Sequence, residues 1–399
     1  MHSCRPKTRA AILLAVWSGI AIETAGPIPQ SFAAPVTIDE ARAQAAGIRK
    51  LVGQHIVLYT DLASSPDVDS LPAVFDDAVG QWAQYFDVNV ADARGWRVRA
   101  FLIGDRRAFD KLGVMPAGDD AFLHGLSVGA DLWLYDQPSA YYRRHLLLHE
   151  GTHAYMAKFL GGCGPGWYME GMAELFGTHR ILDLKKEEVP LDNPNTMGAY
   201  DPLTGLTPSL ETRIMPRSRD EVPMWGRIKL IRDAVAAGHV LDLAAVMSLD
   251  NRKQMSDESY AWCWAAAKYF DGQVRYRRRF RRLVKHVTDA DFNGVMRREF
   301  GDDWPNIEEG WQAFVATLEY GYDFQRMAIE FRRGTPLEGK SRSVTITADR
   351  GWQSSGVWLE AGKTYHVSSS GRYQIAVEKT SDGEKPWPCE PGGVTIDYH

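Results

Sequence analysis

Residues 149–153 read His149-Glu150-Gly151-Thr152-His153, and residues 167–174 read Trp167-Tyr168-Met169-Glu170-Gly171-Met172-Ala173-Glu174. A glycine-rich turn, Gly161 to Gly166, lies between them. Pro138-Ser139 ahead of the first segment and Gly161-Gly162 behind it are helix boundary signals, so the pattern predicts one helix ending near Leu160 and a second starting at the turn. Residues four apart share a helical face, which lets His149 and His153 aim at one ion while Glu150 stands beside it. Glu170 and Glu174 share a face of the second helix for the same reason. Packed antiparallel across the tight turn, that helix carries Glu170 back to the histidine pair. The result is a His, His, Glu set with a fourth position open for water. Such a vacancy is typical of catalytic sites, because structural zinc sites are closed by four protein ligands and favour cysteine.

HExxH followed by Trp-x-x-Glu-Gly-x-Ala-Glu resembles the gluzincin zinc peptidases, especially the broad peptidase-MA-like group of exported bacterial proteins. The likeness is concentrated between Tyr141 and Arg180, with a looser similarity of architecture from about His55 to Tyr320. It implies a zincin-like fold, Zn2+ held by His149, His153 and Glu170, and a peptide or protein substrate. It further implies Glu150 as general base towards zinc-activated water and Glu174 as a carboxylate orienting a ligand histidine. The metzincin branch does not fit, since its longer motif needs Gly and His where this chain has Met156 and Phe159. A tyrosine-led helix follows the zinc motif in many members, making Tyr260 the first candidate for stabilising an oxyanion, with half-buried packing as the plain alternative. His145, one turn before His149, reads as cleft wall or as support behind the ligands, because a fourth protein ligand would close the site. The run Asp131 to Tyr135 is either an edge strand to which an extended peptide could add, or an ordinary core strand.

Outward from this segment the chain reads as α+β. Strand patterns at His55 to Tyr59, Val98 to Ile103 and Asp131 to Tyr135, with a helix from Leu71 to Phe86 opened by Pro72, make residues 36–138 a mixed α/β part. Residues 139–332 have helical periodicity, broken by a Pro-, Asp- and Asn-rich interval from Lys185 to Pro223 that reads as a functional flap or an excursion. Trp225, Trp262, Trp264, Trp304 and Trp311 fall at helical positions and are expected to fill the core. Residues 341–399 switch to short alternating runs, Val344 to Thr347, Gly356 to Leu359, Tyr365 to Val367 and Tyr373 to Val377. They predict a small β-sandwich-like domain with a faint likeness to galactose-binding-type modules, and its last run, Asp397-Tyr398-His399, leaves that domain open to completion by other segments.

The 399 residues are 45% apolar and 24% charged, enough for two globular cores and inconsistent with disorder. A net charge of −5 supplies no field to gather nucleic acid. The basic stretch Arg275 to Arg282 is expected to be a solvated helix face. Arg5, Lys7 and Arg9 before an apolar run to Ile22, then Ser31-Phe32-Ala33-Ala34, make residues 1–33 an expected export signal, placing the mature chain in the periplasm, at the cell surface or outside the cell. No membrane span is expected after its removal. Cys163, Cys263 and Cys389 then remain, and Cys163 with Cys263 is a conceivable but unassigned pair. Function reads as a secreted zinc peptidase. The rival from another class is an inactive zincin-like surface protein whose zinc staples two helices and whose β tail contacts glycan. Hydrolysis of a non-peptide amide stays open too.

Overall fold

Five strands form the main sheet: β1 (Arg49–Val52), β2 (Ile56–Thr60), β3 (Val98–Ile103), β4 (Gly125–Val128) and β5 (Asp131–Tyr135). They appear in a computed structural model that describes residues 37–116, 122–182, 209–250, 255–337, 339, 341–381 and 383–393. The expected export signal, most of the Lys185–Pro223 interval and the final run at Asp397 lie outside the described residues. The strands are ordered β1-β2-β3-β5-β4, with β2, β3 and β5 mutually parallel and β1 and β4 antiparallel at the two edges. Of the two readings of Asp131–Tyr135, the core strand is therefore the one observed. The edge belongs to β4, a short strand with no run of β-branched residues to announce it.

The inner strands are apolar at nearly every position because both faces of the sheet are covered. Leu58, Ala100, Leu102, Leu132 and Leu134 face one core, while Tyr59, Phe101, Ile103 and Trp133 face a smaller one capped by Phe109 and Val114. The first core extends into helices α1 (Leu71–Phe86), α2 (Ala140–Leu160), α3 (Gly166–Gly177), α4 (Arg227–Ala236), α5 (Asp257–Gly272), α6 (Val274–Arg282) and α7 (Trp304–Thr317). Helix α1 packs on β2 and α2 on β4 and β5, α3 packs on α2, and α5 packs on α3, α4, α6 and α7. Trp225, Trp262, Trp264 and Trp311 are buried among them, whereas Trp304 is only partly buried, at the first turn of α7.

The helical part also contains strands that the periodicity does not predict. β6 (His179–Leu182), just before the long interval, pairs antiparallel with β7 (Ser209–Thr212), inside it. Gln81 of α1 clamps this hairpin: its Nε2 donates to the Leu210 carbonyl (2.7 Å), and its Oε1 accepts from the Thr212 amide (3.1 Å) and hydroxyl (2.7 Å). The basic stretch on α6 is largely a solvated face, with Arg275, Arg277, Arg278 and Arg282 exposed, and ion pairs join Arg275 and Arg279 to Asp303, Arg281 to Asp271 and Arg282 to Glu299.

The C-terminal region is β in part. Its main feature is a hairpin of Tyr373–Thr380 and Gly383–Cys389; the residues at 344–347 and 365–367 form no strand, and Val357–Trp358 forms only a short one. Alternation alone does not make a strand where no neighbouring segment supplies the ladder. Cys163, Cys263 and Cys389 are free thiols. No helix among the described residues is long and apolar enough to cross a membrane.

Close helix contact depends on glycine. A Cβ on Gly171 of α3 would stand 2.7 Å from the Cys263 carbonyl oxygen of α5 and 3.2 Å from Ala267 Cβ. Backbone cannot step aside cheaply, so Gly171→Ala is expected to destabilise the fold by about 1–3 kcal/mol despite the better helix propensity of alanine. Gly80→Ala on the exposed side of α1, where a Cβ meets nothing within 4 Å, is expected to stabilise by about 0.5–1 kcal/mol. Urea unfolding of the two variants beside the parent checks both signs, and an unmoved midpoint for Gly171→Ala would contradict the packing account.

Candidate metal centre

Helix α2 starts where Ser139 accepts a hydrogen bond from the Tyr142 amide (3.0 Å) and stops at Gly161, whose φ of 73° is left-handed. The chain then turns into α3 behind Pro165. Between these ends α2 presents His145, His149 and His153, and α3 presents Glu170 and Glu174. The reversal sets the two rows against each other in opposite order, with His153 meeting Glu170 and His145 meeting Glu174.

The structure brings His149, His153 and Glu170 together. His149 Nε2 lies 3.2 Å from His153 Nε2 and 3.2 Å from Glu170 Oε2, and His153 Nε2 lies 3.4 Å from the same carboxylate oxygen. An ion bound tetrahedrally at about 2.0–2.1 Å spaces its ligand atoms about 3.3 Å apart, so the triangle has the size such an ion requires. Glu170 Oε2 is buried and accepts no hydrogen bond, though both ring nitrogens are near. A buried, unpartnered carboxylate oxygen facing two imidazole nitrogens is what a missing cation leaves behind. These buried His and Glu groups are thus positioned to hold a metal ion.

Glu174 stands behind them. Its Oε1 is 3.5 Å from His149 Nδ1, on the side of the ring away from Glu170. Arg227, at the start of α4, grips both of its oxygens: Nε donates to Oε2 at 2.9 Å and Nη2 to Oε1 at 2.9 Å. Burial alone would raise the Glu174 pKa, but Arg227 and His145 hold it well below the usual carboxylate range. His145 Nε2 is 3.4 Å from Glu174 Oε2, and its ring lies so flat on Gly177 that a Cβ there would be 2.7 Å from Cε1.

Glu150 points towards the sheet. A Cβ on Gly125, at the start of β4, would lie 2.9 Å from Glu150 Cγ and collide with its carboxyl group, so the bare glycine makes the seat for this side chain. Burial raises the Glu150 pKa, and the His149 and His153 charges only partly pull it back. Tyr260 of α5 is half-buried and edge-on to His149, with ring centroids 6.0 Å apart. Burial and the nearby Glu170, Glu174 and Glu150 carboxylates keep its hydroxyl protonated.

Arg227, Gly125 and Gly177 escape sequence reasoning. Arg227 follows Glu174 by 53 residues, across the long interval, and a single arginine opening a helix carries no signal of a distant carboxylate. Cys163 stays outside the set, with Sγ directed at the His153 carbonyl at 3.7 Å.

No protein-family model matches this chain, and no curated protein gives a significant match.

Without an ion the cluster balances its own charge. Burial lowers the His149 pKa, but the Glu170 and Glu174 carboxylates beside the ring outweigh it and hold it at about 9. Glu170, which burial would raise, is held at about 2 by His153 and His149. Two imidazolium N–H groups cannot face each other at 3.2 Å, so one proton sits between the rings. At pH 7 that proton must leave before both nitrogens can coordinate. Calorimetric titration of the metal-free protein with zinc should therefore show release of about one proton, read as an enthalpy that varies with the ionisation enthalpy of the buffer, and an apparent affinity that rises with pH up to about 9. A buffer-independent enthalpy would contradict this charge balance.

Proposed function

We propose that this chain is a secreted zinc-dependent peptidase of the gluzincin kind. The observation that carries the reading is the triangle of His149 Nε2, His153 Nε2 and Glu170 Oε2, sized for a tetrahedral ion, with a buried carboxylate of raised pKa next along the same helix. Zinc held there would supply Lewis acidity, lowering the pKa of water towards 7 and drawing charge from a carbonyl oxygen.

The other roles belong to the protein. Glu150, more basic than an ordinary carboxylate because burial opposes its ionisation, takes the proton of the attacking water and later delivers it to the leaving amine. Glu174 receives the Nδ1 side of His149 and keeps that ring turned towards Glu170. Tyr260 stays protonated and serves as hydrogen-bond donor to the oxygen on which negative charge develops. The outer edge of β4, unpaired among the described residues, begins at Gly125, against Glu150, so a peptide adding to that edge in extended form would pass its backbone before the general base. Unfolded or loosely folded segments are the substrates this mode favours. The basic and apolar N-terminal segment supports export of the chain.

Glu150→Gln tests the reading, because it leaves His149, His153 and Glu170 intact. The variant should keep one zinc per chain by elemental analysis and lose hydrolysis of a peptide library by about 10²–10⁴-fold. A site that only staples two helices would show no hydrolysis in either form, and equal proteolysis by parent and variant would remove Glu150 from the mechanism.

A further inference from the structure

The two facing rows make one site too many. His145, His149 and His153 stand at i, i+4 and i+8 on α2, and Glu170 and Glu174 at i and i+4 on α3. They offer two overlapping His, His, Glu sets that share His149: His149, His153 and Glu170 in one, His145, His149 and Glu174 in the other. In each, the candidate ligand atoms lie within 4.8 Å of one another. The first would use His149 through Nε2 and the second through Nδ1. The second set is fully buried, the first is buried except for a half-buried His153, and both contain the same donor types. Nothing in the spacing along either helix prefers one to the other.

The difference comes from α4. Arg227 donates to both oxygens of Glu174 at 2.9 Å, whereas Glu170 Oε2 accepts no hydrogen bond. The Arg227 guanidinium is itself buried, lies over the Tyr260 ring at 5.7 Å and reaches the Tyr142 hydroxyl at 3.3 Å, so it is held from several sides. A guanidinium does not lose its proton in a protein, and its two parallel donors match a carboxylate edge to edge. A cation entering the second set would have to compete for lone pairs already engaged and would face a fixed positive charge.

We propose that Arg227 is a positioning residue that assigns the metal to His149, His153 and Glu170 by withdrawing Glu174 from coordination, and that His145, His149 and Glu174 form a latent second metal site. This rests on the reading of His149, His153 and Glu170 as ligands. The arrangement leaves Glu174 available to the Nδ1 side of His149, and makes His145 a ligand held in reserve.

The test is a rescue of zinc affinity, measured on the full chain by competition with a chromogenic chelator. His153→Ala alone should weaken zinc binding by at least about 100-fold, more than the loss of an outer partner. Adding Arg227→Met should recover at least about tenfold of that loss, and adding His145→Ala as well should abolish the recovery. Cobalt(II) in place of zinc should give a tetrahedral-type visible spectrum in the rescued double variant. Arg227→Leu, which likewise removes both the charge and the donors, replaces Arg227→Met if circular dichroism shows the latter unfolded. In the parent background His145→Ala should change zinc affinity less than about tenfold, as expected of a residue outside the coordination sphere. No rescue in a folded double variant, or a loss of 100-fold or more from His145→Ala alone, overturns the proposal. Parent protein that binds zinc tightly while the rescue fails sinks only this inference, whereas parent protein that binds no zinc sinks the peptidase reading and this inference with it.

Discussion

Three carboxyl groups and two imidazoles are buried in or beside the seam between α2 and α3, with a third imidazole half-buried, and the surrounding structure has to compensate them. Charge out of water is costly unless it is paired and hydrogen-bonded. Arg227 compensates Glu174 permanently. The protonated His149/His153 pair compensates Glu170 only for as long as no other cation is present. Glu150 is opposed by burial more than it is helped by the His149 and His153 charges, and responds by holding its proton more tightly. One seam thus contains a neutralised carboxylate, an exchangeable one and a basic one. Those are the three electrostatic conditions that an outer support, a ligand and a general base respectively require.

Absent side chains give these groups their places. Gly171 lets α3 lie against the backbone of α5, and Gly177 lets the His145 ring lie flat upon α3. Gly151, inside the histidine motif, faces Phe75 and Trp82 of α1, where a Cβ would come within 2.6 and 2.7 Å of ring carbons. Gly125 admits the Glu150 carboxyl at the sheet edge. The helix carrying the histidines is therefore held closely on the side facing α1 and α3, where a shift of a few tenths of an ångström would spoil the triangle. Packing of this kind is stiff, and stiffness is what a preorganised centre needs.

The sheet contributes an edge more than a platform. β5 is paired on both sides and buried, and it could not receive a further strand. β4, shorter and partly exposed, keeps one side unpaired among the described residues and begins beside Glu150. An unpaired edge is a liability in most proteins. Here it lies where a backbone to be cut would have to run, which gives it a use in the proposed reaction.

Much was legible in one dimension. The period of 3.6 put His149 and His153 on one face and Glu170 and Glu174 on another, and Ser139 and the glycine-rich turn from Gly161 marked where the helices start and stop. The runs at 55–59, 98–103 and 131–135 declared themselves as strands, the first shifted by one residue to 56–60 in the fold, because burial on both faces demands apolar residues throughout. All of these are consequences of local periodicity, which a sequence carries openly. The remainder depended on residues meeting across long separations: Arg227 with Glu174, Gly125 with Glu150, Gln81 with Thr212. Which strand is the edge, and which of two equivalent histidine and glutamate sets keeps its carboxylate free, are decided by neighbours far along the chain. A local pattern states what a residue can reach within its own element, and only the packed fold determines which partner arrives there first.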